Sequence, residues 1–109
     1  MKYKAHDYQQ YATDFIITHP VSCLILDMGL GKTVITLTAL WLLLFDYFEV
    51  RRVLVIAPKR VAETTWPAEI KKWEHLYGMT FAVAMGTAAQ RCDHHRKGQC
   101  FMDDKKCVF

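Results

Sequence analysis

The sequence lacks any apolar run long enough to cross a membrane. Its longest run, residues 34–45, has twelve residues and includes two threonines, whereas a membrane-spanning helix needs about 18 to 20 apolar residues. The first ten residues, MKYKAHDYQQ, contain two lysines but no apolar segment of the kind found in a signal peptide. We therefore expect a cytoplasmic protein with no membrane partner, and a buried helix over residues 34–45.

The sequence also lacks a strongly basic segment. Residues 1–90 contain nine Lys and Arg against eight Asp and Glu, and residues 91–109 contain five against three. A basic stripe is the usual mark of nucleic-acid binding. The composition therefore gives no evidence for such a partner, and evidence for one has to come from motifs.

Internal repeats and linkers rich in Gly, Ser or Pro are absent before residue 86. The 109 residues are 52% apolar and 23% charged, which is typical of one small globular domain with a modest core. Regular patterning ends at about residue 90. We therefore predict a folded domain over residues 1–90 and an irregular tail over residues 91–109.

Helical and strand patterns alternate along the folded part. A helix capped by Asp7 is expected to end at the His-Pro pair at 19 and 20. Pro67 suits the first turn of a later helix, and Gly78 suits its end. The predicted helices and strands, in alternating order, cover residues 8–18, 21–26, 33–45, 53–57, 59–78 and 79–86. This order predicts an α/β fold, a parallel sheet between two layers of helices, with Cys23 buried as a small apolar side chain.

The segment LDMGLGKTVITL, residues 26–37, joins the first predicted strand to a helix. A glycine-rich turn at this place presents backbone N–H groups and the positive end of the helix dipole to an anion. Gly29 and Gly31 would allow close approach, Lys32 would meet the β and γ phosphates, and Thr33 would bind Mg²⁺. The predicted phosphate-binding residues are Met28, Gly29, Leu30, Gly31, Lys32 and Thr33. The alternative is a glycine turn beside a surface lysine, and the full pattern would have a glycine where Leu26 stands.

Four segments together resemble the Snf-type helicase-like ATPases, which are DNA translocases of helicase superfamily two. DMGLGKT at 27–33 resembles the first motif of that family, and HDYQ at 6–9 resembles its adenine-reading segment. RVLVIAPKRV at 52–61 and WPAEIKKW at 66–73 resemble the two segments that follow. In this resemblance Gln9 reads adenine, because its amide offers both a donor and an acceptor.

The resemblance implies a partial RecA-like P-loop domain that binds ATP and Mg²⁺, within a parent enzyme that moves on double-stranded DNA. Lys32 would stabilise phosphate charge, and Lys59 and Arg60 would contact the DNA backbone. Each segment also has a purely structural interpretation. Gln9 can be an ordinary helix residue, Trp66 and Trp73 can be core residues, and Lys59 and Arg60 can be a solvated pair.

A D-E-x-H motif, which supplies the carboxylates for hydrolysis in this family, does not occur in the sequence. Asp103 and Asp104 are adjacent acids, but no apolar strand precedes them. The arginines that the family contributes from a second lobe are missing too, and an arginine finger contributes on the order of 10³ to 10⁵ in rate. We expect weak Mg-nucleotide binding and negligible turnover by this chain alone, because its catalytic set is incomplete.

The tail contains five residues that could bind zinc: Cys92, His94, His95, Cys100 and Cys107. Their spacing is unfavourable, because structural zinc sites place cysteine pairs two to four residues apart. A shift of reading frame near residues 89–91 would also explain the loss of pattern. Two alternatives to an ATP-binding segment follow: a stand-alone nucleotide- or metal-binding interaction module, and an inert truncated product.

Overall fold

The computed structural model describes residues 1–81, 83, 88, 89, 107 and 108. Three α-helices and three short strands make up its main elements. In chain order they are α1 (Asp7–Thr18), α2 (Lys32–Trp41), β1 (Arg52–Val53), α3 (Trp66–Lys72), β2 (Thr80–Phe81) and β3 (Cys107–Val108). The predicted alternation of helices and strands is therefore present from α2 to β2, whereas among these residues no strand lies between α1 and α2. No helix in the described part of the chain is long and apolar enough to cross a bilayer.

Helix α1 confirms the first predicted helix, with one correction at its start. The cap is His6 and not Asp7. The reason is the side chain three residues after the cap, because Gln9 Oε1 accepts a hydrogen bond from the His6 backbone N–H at 2.9 Å. The helix ends at Thr18, where His19 is extended ahead of Pro20.

Helix α2 carries the largest share of the buried apolar surface. Ile35, Leu37 and Ala39 have no exposed surface, so the helix is covered on more than one side, whereas the prediction was cover on every side. A π-helical turn over Leu42–Asp46 continues it and buries Leu44. The core cluster around these residues comprises Leu37, Leu44, Ile70, Leu76 and Met79.

The predicted helix over residues 59–78 is shorter and has a wide turn within it. Helical conformation begins at Lys59, and Val61–Thr65 form a π-helical turn in which the Trp66 N–H reaches the Val61 carbonyl. Pro67 follows directly, and a proline removes a backbone donor and crowds the preceding turn, which the wider turn relieves. The prediction that Gly78 ends this helix is wrong, because α3 ends at Lys72 and Trp73 is extended.

The described sheet is parallel and small. Strand β3 lies between β1 and β2, with Arg52 and Thr80 opposite Cys107. Among the described residues the predicted strand 21–26 has no ladder partner, and the prediction that Cys23 is buried is wrong, since its side chain is exposed. A strand needs a neighbour to satisfy its backbone, whereas a helix does not.

Only one face of the second predicted strand is covered in the described part of the chain. Val53 and Val55 pack against the core cluster, whereas the alternate side chains of Leu54 and Ile56 are exposed. The helices therefore form one layer against this segment. The second helical layer of the predicted three-layer arrangement remains a prediction. Strand β3 lies in the range predicted as an irregular tail, and most of that range is outside the described residues.

Candidate functional site

The N-terminus of α2 is where a glycine-rich loop presents its backbone. Gly31 caps the helix with φ 80°, and Gly29 has φ 83°, both in the left-handed region that glycine adopts without strain. Ile35 donates the first bond of the helix, to the Gly31 carbonyl at 3.0 Å. The N–H groups of residues 32–34 are therefore the free donors that every α-helix presents at its start. This end of the helix also carries the positive end of the dipole.

The two glycines differ in what surrounds them. A Cβ on Gly31 would lie 2.8 Å from Gln9 Nε2 and 3.1 Å from Val34 Cγ1, whereas a Cβ on Gly29 would meet nothing within 4 Å. Gly31 is thus required both for its backbone conformation and for the space that it leaves to Gln9. Gly29 is required for its conformation.

Lys32 closes the loop on itself. Its Nζ donates to the Leu26 carbonyl at 2.7 Å, so the lysine spans the loop from the helix to the position where the full sequence pattern has a glycine. A carbonyl is available at that position whatever the side chain, so leucine can occupy it. An ammonium group has three N–H donors, and two of them remain for another acceptor.

Gln9 connects α1 to the loop. The side chain is 7% exposed; its Oε1 accepts from the His6 N–H, and its Nε2 donates to the Leu30 carbonyl at 3.3 Å. Tyr8 Oη donates to the same carbonyl at 3.1 Å. A glutamine amide has two donors and two acceptor sites, so Gln9 keeps one of each. The sequence did not indicate the role of the Tyr8 hydroxyl.

A cavity of about 1000 Å³ brings the predicted residues together. Its wall is formed by the N-terminal segment, the start of α1, the loop and the helical segment 61–73. The lining residues are Met1, Lys2, Tyr3, Lys4, His6, Tyr8, Gln9, Met28, Gly29, Gly31, Lys32, Thr33, Val34, Val61, Thr65, Glu69, Lys72 and Trp73. Among the residues predicted to bind nucleotide or Mg²⁺, Leu30 is the one outside this lining.

The charge of the cavity wall favours an anion. Four lysines line it, at positions 2, 4, 32 and 72, against one carboxylate, Glu69. That carboxylate is already engaged, because Trp73 Nε1 donates to Glu69 Oε2 at 2.6 Å and Lys72 lies 3.7 Å from Oε1. A cationic cleft attracts and retains anionic ligands. The overall sequence charge gave no sign of this local excess.

The N-terminal segment reaches the cavity through an aromatic contact that the sequence interpretation missed. The Tyr3 ring stacks on His75 at 4.9 Å and meets Trp73 edge-on at 5.4 Å. Burial, and then the neighbouring Tyr8, raise the pKa of Tyr3, and burial lowers the pKa of His75. The alternation of lysine with Tyr3 and Ala5 in KYKA was the sequence signal that could have indicated a docked segment. The structure exposes both lysines and half-buries Tyr3 and Ala5.

The predicted DNA contacts lie apart from the cavity wall, and several other predicted residues lie outside the described part of the chain. Lys59 and Arg60 are exposed at the start of the helical segment, while Val61 and Thr65 of the next turn line the cavity. Thr33 is half-buried and lines it too. Within the described residues, no three or more His, Cys, Asp or Glu side chains come together in a group that could hold a metal ion. Outside them lie the predicted residues Cys92, His94, Cys100, Asp103 and Asp104.

His95 also lies outside the described residues, and Cys107 is described as part of β3. The zinc hypothesis for the tail and the carboxylate interpretation of MDDKKC therefore stay predictions. The described site consists of the loop, the two ends of the helices that meet there and the docked N-terminal segment.

Comparisons with known proteins found a matching family and two relatives. The model of the SNF2-related domain matches residues 8–107. "Putative protein p41" of Acyrthosiphon pisum secondary endosymbiont phage 1 is 47% identical over 64 residues, covering 59% of this chain and 14% of that protein. "Bifunctional helicase and thymine dioxygenase JBP2" of Trypanosoma cruzi (strain CL Brener) is 40% identical over 78 residues, covering 68% of this chain and 7% of that protein.

The chain thus spans a small part of the length of these relatives, and no solved structure matches it significantly. The family match includes the loop, Gln9 and the helical segment that line the cavity, and it confirms the resemblance to the Snf-type ATPases. Membership implies a RecA-like P-loop fold. The chain belongs to the SNF2-related domain family.

Proposed function

We propose that this chain is the ATP-binding segment of an ATP-dependent DNA helicase or translocase of the SNF2-related family. The observation that carries the proposal is the convergence of the Gly29–Gly31 loop, Lys32 and Gln9 on one basic cavity. A phosphate group suits the N-terminus of α2, because free N–H donors and the helix dipole both favour an anion there.

Lys32 would exchange the Leu26 carbonyl for the β and γ phosphates of ATP. The exchange is favourable because the phosphate oxygen carries a charge opposite to that of the ammonium group, whereas the carbonyl oxygen is neutral. Thr33 is suited to Mg²⁺ by its hydroxyl oxygen, which is the type of ligand this ion prefers. Bound Mg²⁺ would neutralise part of the phosphate charge.

Gln9 would read the adenine base with the donor and the acceptor that its protein contacts leave available. Its amide is held from both ends, by His6 and by the Leu30 carbonyl, so its orientation is set before a base arrives. A preorganised amide loses little conformational freedom on binding. The base would therefore lie beside the N-terminus of α1, next to Tyr8.

Double-stranded DNA would be the partner of the parent enzyme, in the cytoplasm, with Lys59 and Arg60 as contacts to its backbone. One relative carries the word helicase in its name, which supports this assignment. The whole lobe would have helices on both faces of a parallel sheet. The 109 residues contain no D-E-x-H sequence, so this chain alone is expected to bind nucleotide with negligible turnover.

Titration of a fluorescent ATP analogue with Mg²⁺ tests the proposal. Lys32→Ala should weaken binding by about tenfold or more, because a hydrogen bond to a charged group contributes on the order of 1.5 to 3 kcal/mol. Lys71→Ala removes the same charge from α3 outside the cavity lining and is the matched control, expected to bind as the unmodified chain does. Coincident curves for the folded Lys32→Ala variant and the unmodified chain would disprove nucleotide binding through this loop.

A further inference from the structure

The peptide that joins Leu30 to Gly31 sits in the most permissive part of the loop. Gly29 precedes Leu30 with φ 83° and Gly31 follows it with φ 80°. Glycine populates positive and negative φ about equally, so the backbone on both sides of Leu30 can rotate at little energetic cost. Something outside the loop has to select one orientation of this peptide.

Two side chains of α1 make that selection in the structure. Tyr8 Oη and Gln9 Nε2 both donate to the Leu30 carbonyl oxygen, at 3.1 and 3.3 Å. A carbonyl oxygen has two lone pairs, so these two bonds fill its capacity. The Leu30 carbonyl is therefore directed towards α1.

The direction of that carbonyl fixes the direction of a donor. The described chain contains no cis peptide bond, and in a trans peptide the C=O and N–H point in opposite directions. With the Leu30 oxygen directed towards α1, the Gly31 N–H points away from Tyr8 and Gln9. A rotation of the peptide would exchange the two and would present an oxygen where the loop now presents a donor.

We propose that Tyr8 is a positioning residue for phosphate binding: its hydroxyl, with Gln9, holds the Leu30–Gly31 peptide so that the loop offers an N–H and not a carbonyl to the anion. This inference rests on the proposed function of the loop. Tyr8 is the better of the two donors to test, because the amide of Gln9 also caps α1 and would also contact adenine. A substitution of Gln9 would therefore change several interactions at once. Tyr8→Phe removes the hydroxyl and keeps the ring, which stacks on His6 in the structure.

Competition binding with two ligands tests this role. Tyr8→Phe should weaken the binding of Mg-ATP and of Mg-tripolyphosphate by the same factor, about three- to tenfold, which is the size expected for one neutral hydrogen bond. Equal factors are the signature of an effect on the phosphate cradle, since tripolyphosphate has no base. Tyr11→Phe on the exposed side of the same helix is the matched control and should leave both affinities unchanged.

The Gly31 amide provides a second readout that a purely structural role of Tyr8 would not move. In ¹⁵N-resolved NMR of the unmodified chain, Mg-tripolyphosphate should shift the Gly31 amide proton downfield, and in Tyr8→Phe the shift at saturation should be smaller. An unchanged affinity for tripolyphosphate in folded Tyr8→Phe overturns the inference, as does a loss confined to ATP. If Lys32→Ala weakens binding while Tyr8→Phe does not, the inference fails and the proposed function stands. If neither variant weakens binding, both fail.

Discussion

Two apolar segments of the chain differ in burial: one is buried and the other is exposed. Ile35, in the helix that follows the loop, is 0% exposed, whereas Ile25, in the segment that precedes the loop, is 90% exposed. Their sequences are similarly apolar, and the difference lies in how each satisfies its backbone. A helix makes its own hydrogen bonds and can then bury side chains against any neighbour, whereas a buried strand needs paired strands on either side.

The same contrast continues along the sheet side of the molecule. Val21, Ile25 and Ile56 are each at least 90% exposed, while the core cluster is built almost wholly from helical and turn residues. The helical half of the described chain therefore determines its stability. The sheet half contributes few buried side chains, and its exposed apolar surface favours association.

The largest expected effect comes from truncating the same side chain in the two regions. Ile35→Ala should reduce the free energy of unfolding by about 2 to 5 kcal/mol, because it leaves a cavity in the core. Ile25→Ala should change it by less than about 0.5 kcal/mol, as for other exposed sites. Urea unfolding followed by circular dichroism measures both.

This pair of substitutions can break the comparison outright. Equal losses in the two variants would mean that Ile25 is buried in solution, and that the segment before the loop is a covered strand. The predicted strand over residues 21–26 would then be correct. A small loss in both would mean that α2 does not form the core.

Alanine substitutions at Gly29 and Gly31 should differ less in their loss of stability than the Ile35→Ala and Ile25→Ala pair does. Both glycines have positive φ, and the unfavourable backbone conformation alone costs alanine about 1 to 2 kcal/mol at either position, which is the whole loss expected for Gly29→Ala. Gly31→Ala should reduce it by roughly 2 to 4 kcal/mol, because its Cβ also displaces Gln9 Nε2 and breaks the bond to Leu30. Thermal unfolding of the two variants under the same conditions measures the difference.

This pair locates the boundary between the two regions within the loop itself. A side chain at Gly29 would meet nothing within 4 Å, whereas one at Gly31 would meet Gln9 and Val34. The informative result is therefore which of the two alanine variants loses more stability. Equal losses would show that Gln9 moves aside without consequence. In that case the contact between α1 and the loop is not a constraint on the loop.

Much of the site could be predicted from the sequence because it depends on local chemistry. Two glycines before a lysine and a helix specify a turn with free N–H groups, and the structure has these features at Gly29, Gly31 and Lys32. The Lys32 contact to Leu26 and the Tyr8 contact to Leu30 could not be predicted. Each depends on where a distant or flexible side chain ends up after packing, which periodicity does not encode.

The fold was predictable to the same extent and for the same reason. Apolar periodicity identified α1, and length with leucine content identified α2. Both could be predicted because helical hydrogen bonds are local. Pro67 does lie in the first turn of α3, as predicted. The wide turn at Val61–Thr65 directly before it was missed, because the sequence pattern was interpreted as a regular helix from residue 59. Two of the three predicted strands overlap β1 and β2, whereas residues 21–26 form no ladder with any described residue and β3 was not predicted. The pairing could not be predicted because β1 and β2 pair through residues 107 and 108, far away in sequence.

The smallest expected effect concerns His75, on the packed side. Thr38 Oγ1 donates to the Val34 carbonyl at 2.7 Å and lies 2.8 Å from His75 Nε2. With the hydroxyl proton assigned to the Val34 carbonyl, His75 Nε2 is the donor to Thr38 Oγ1. Nδ1 is then the unprotonated nitrogen, buried without a hydrogen-bond partner among the described residues. Adding a proton to Nδ1 would place an unpaired charge against the Tyr3 ring.

Burial lowers the pKa of His75 in the folded chain below its ordinary value of 6.5. Between the two values the unfolded chain binds more protons, so stability rises with pH. The contribution of His75 is therefore fully present above about pH 6.5 and is lost as the pH falls through the lower, folded-state value. The urea concentration at the midpoint of unfolding should fall between pH 8 and pH 5.5, and it should fall more for the unmodified chain than for His75→Phe. Phenylalanine keeps a ring against Tyr3 but cannot titrate. Parallel falls would show that His75 is solvated, and that the N-terminal segment is not docked where Tyr3 covers it.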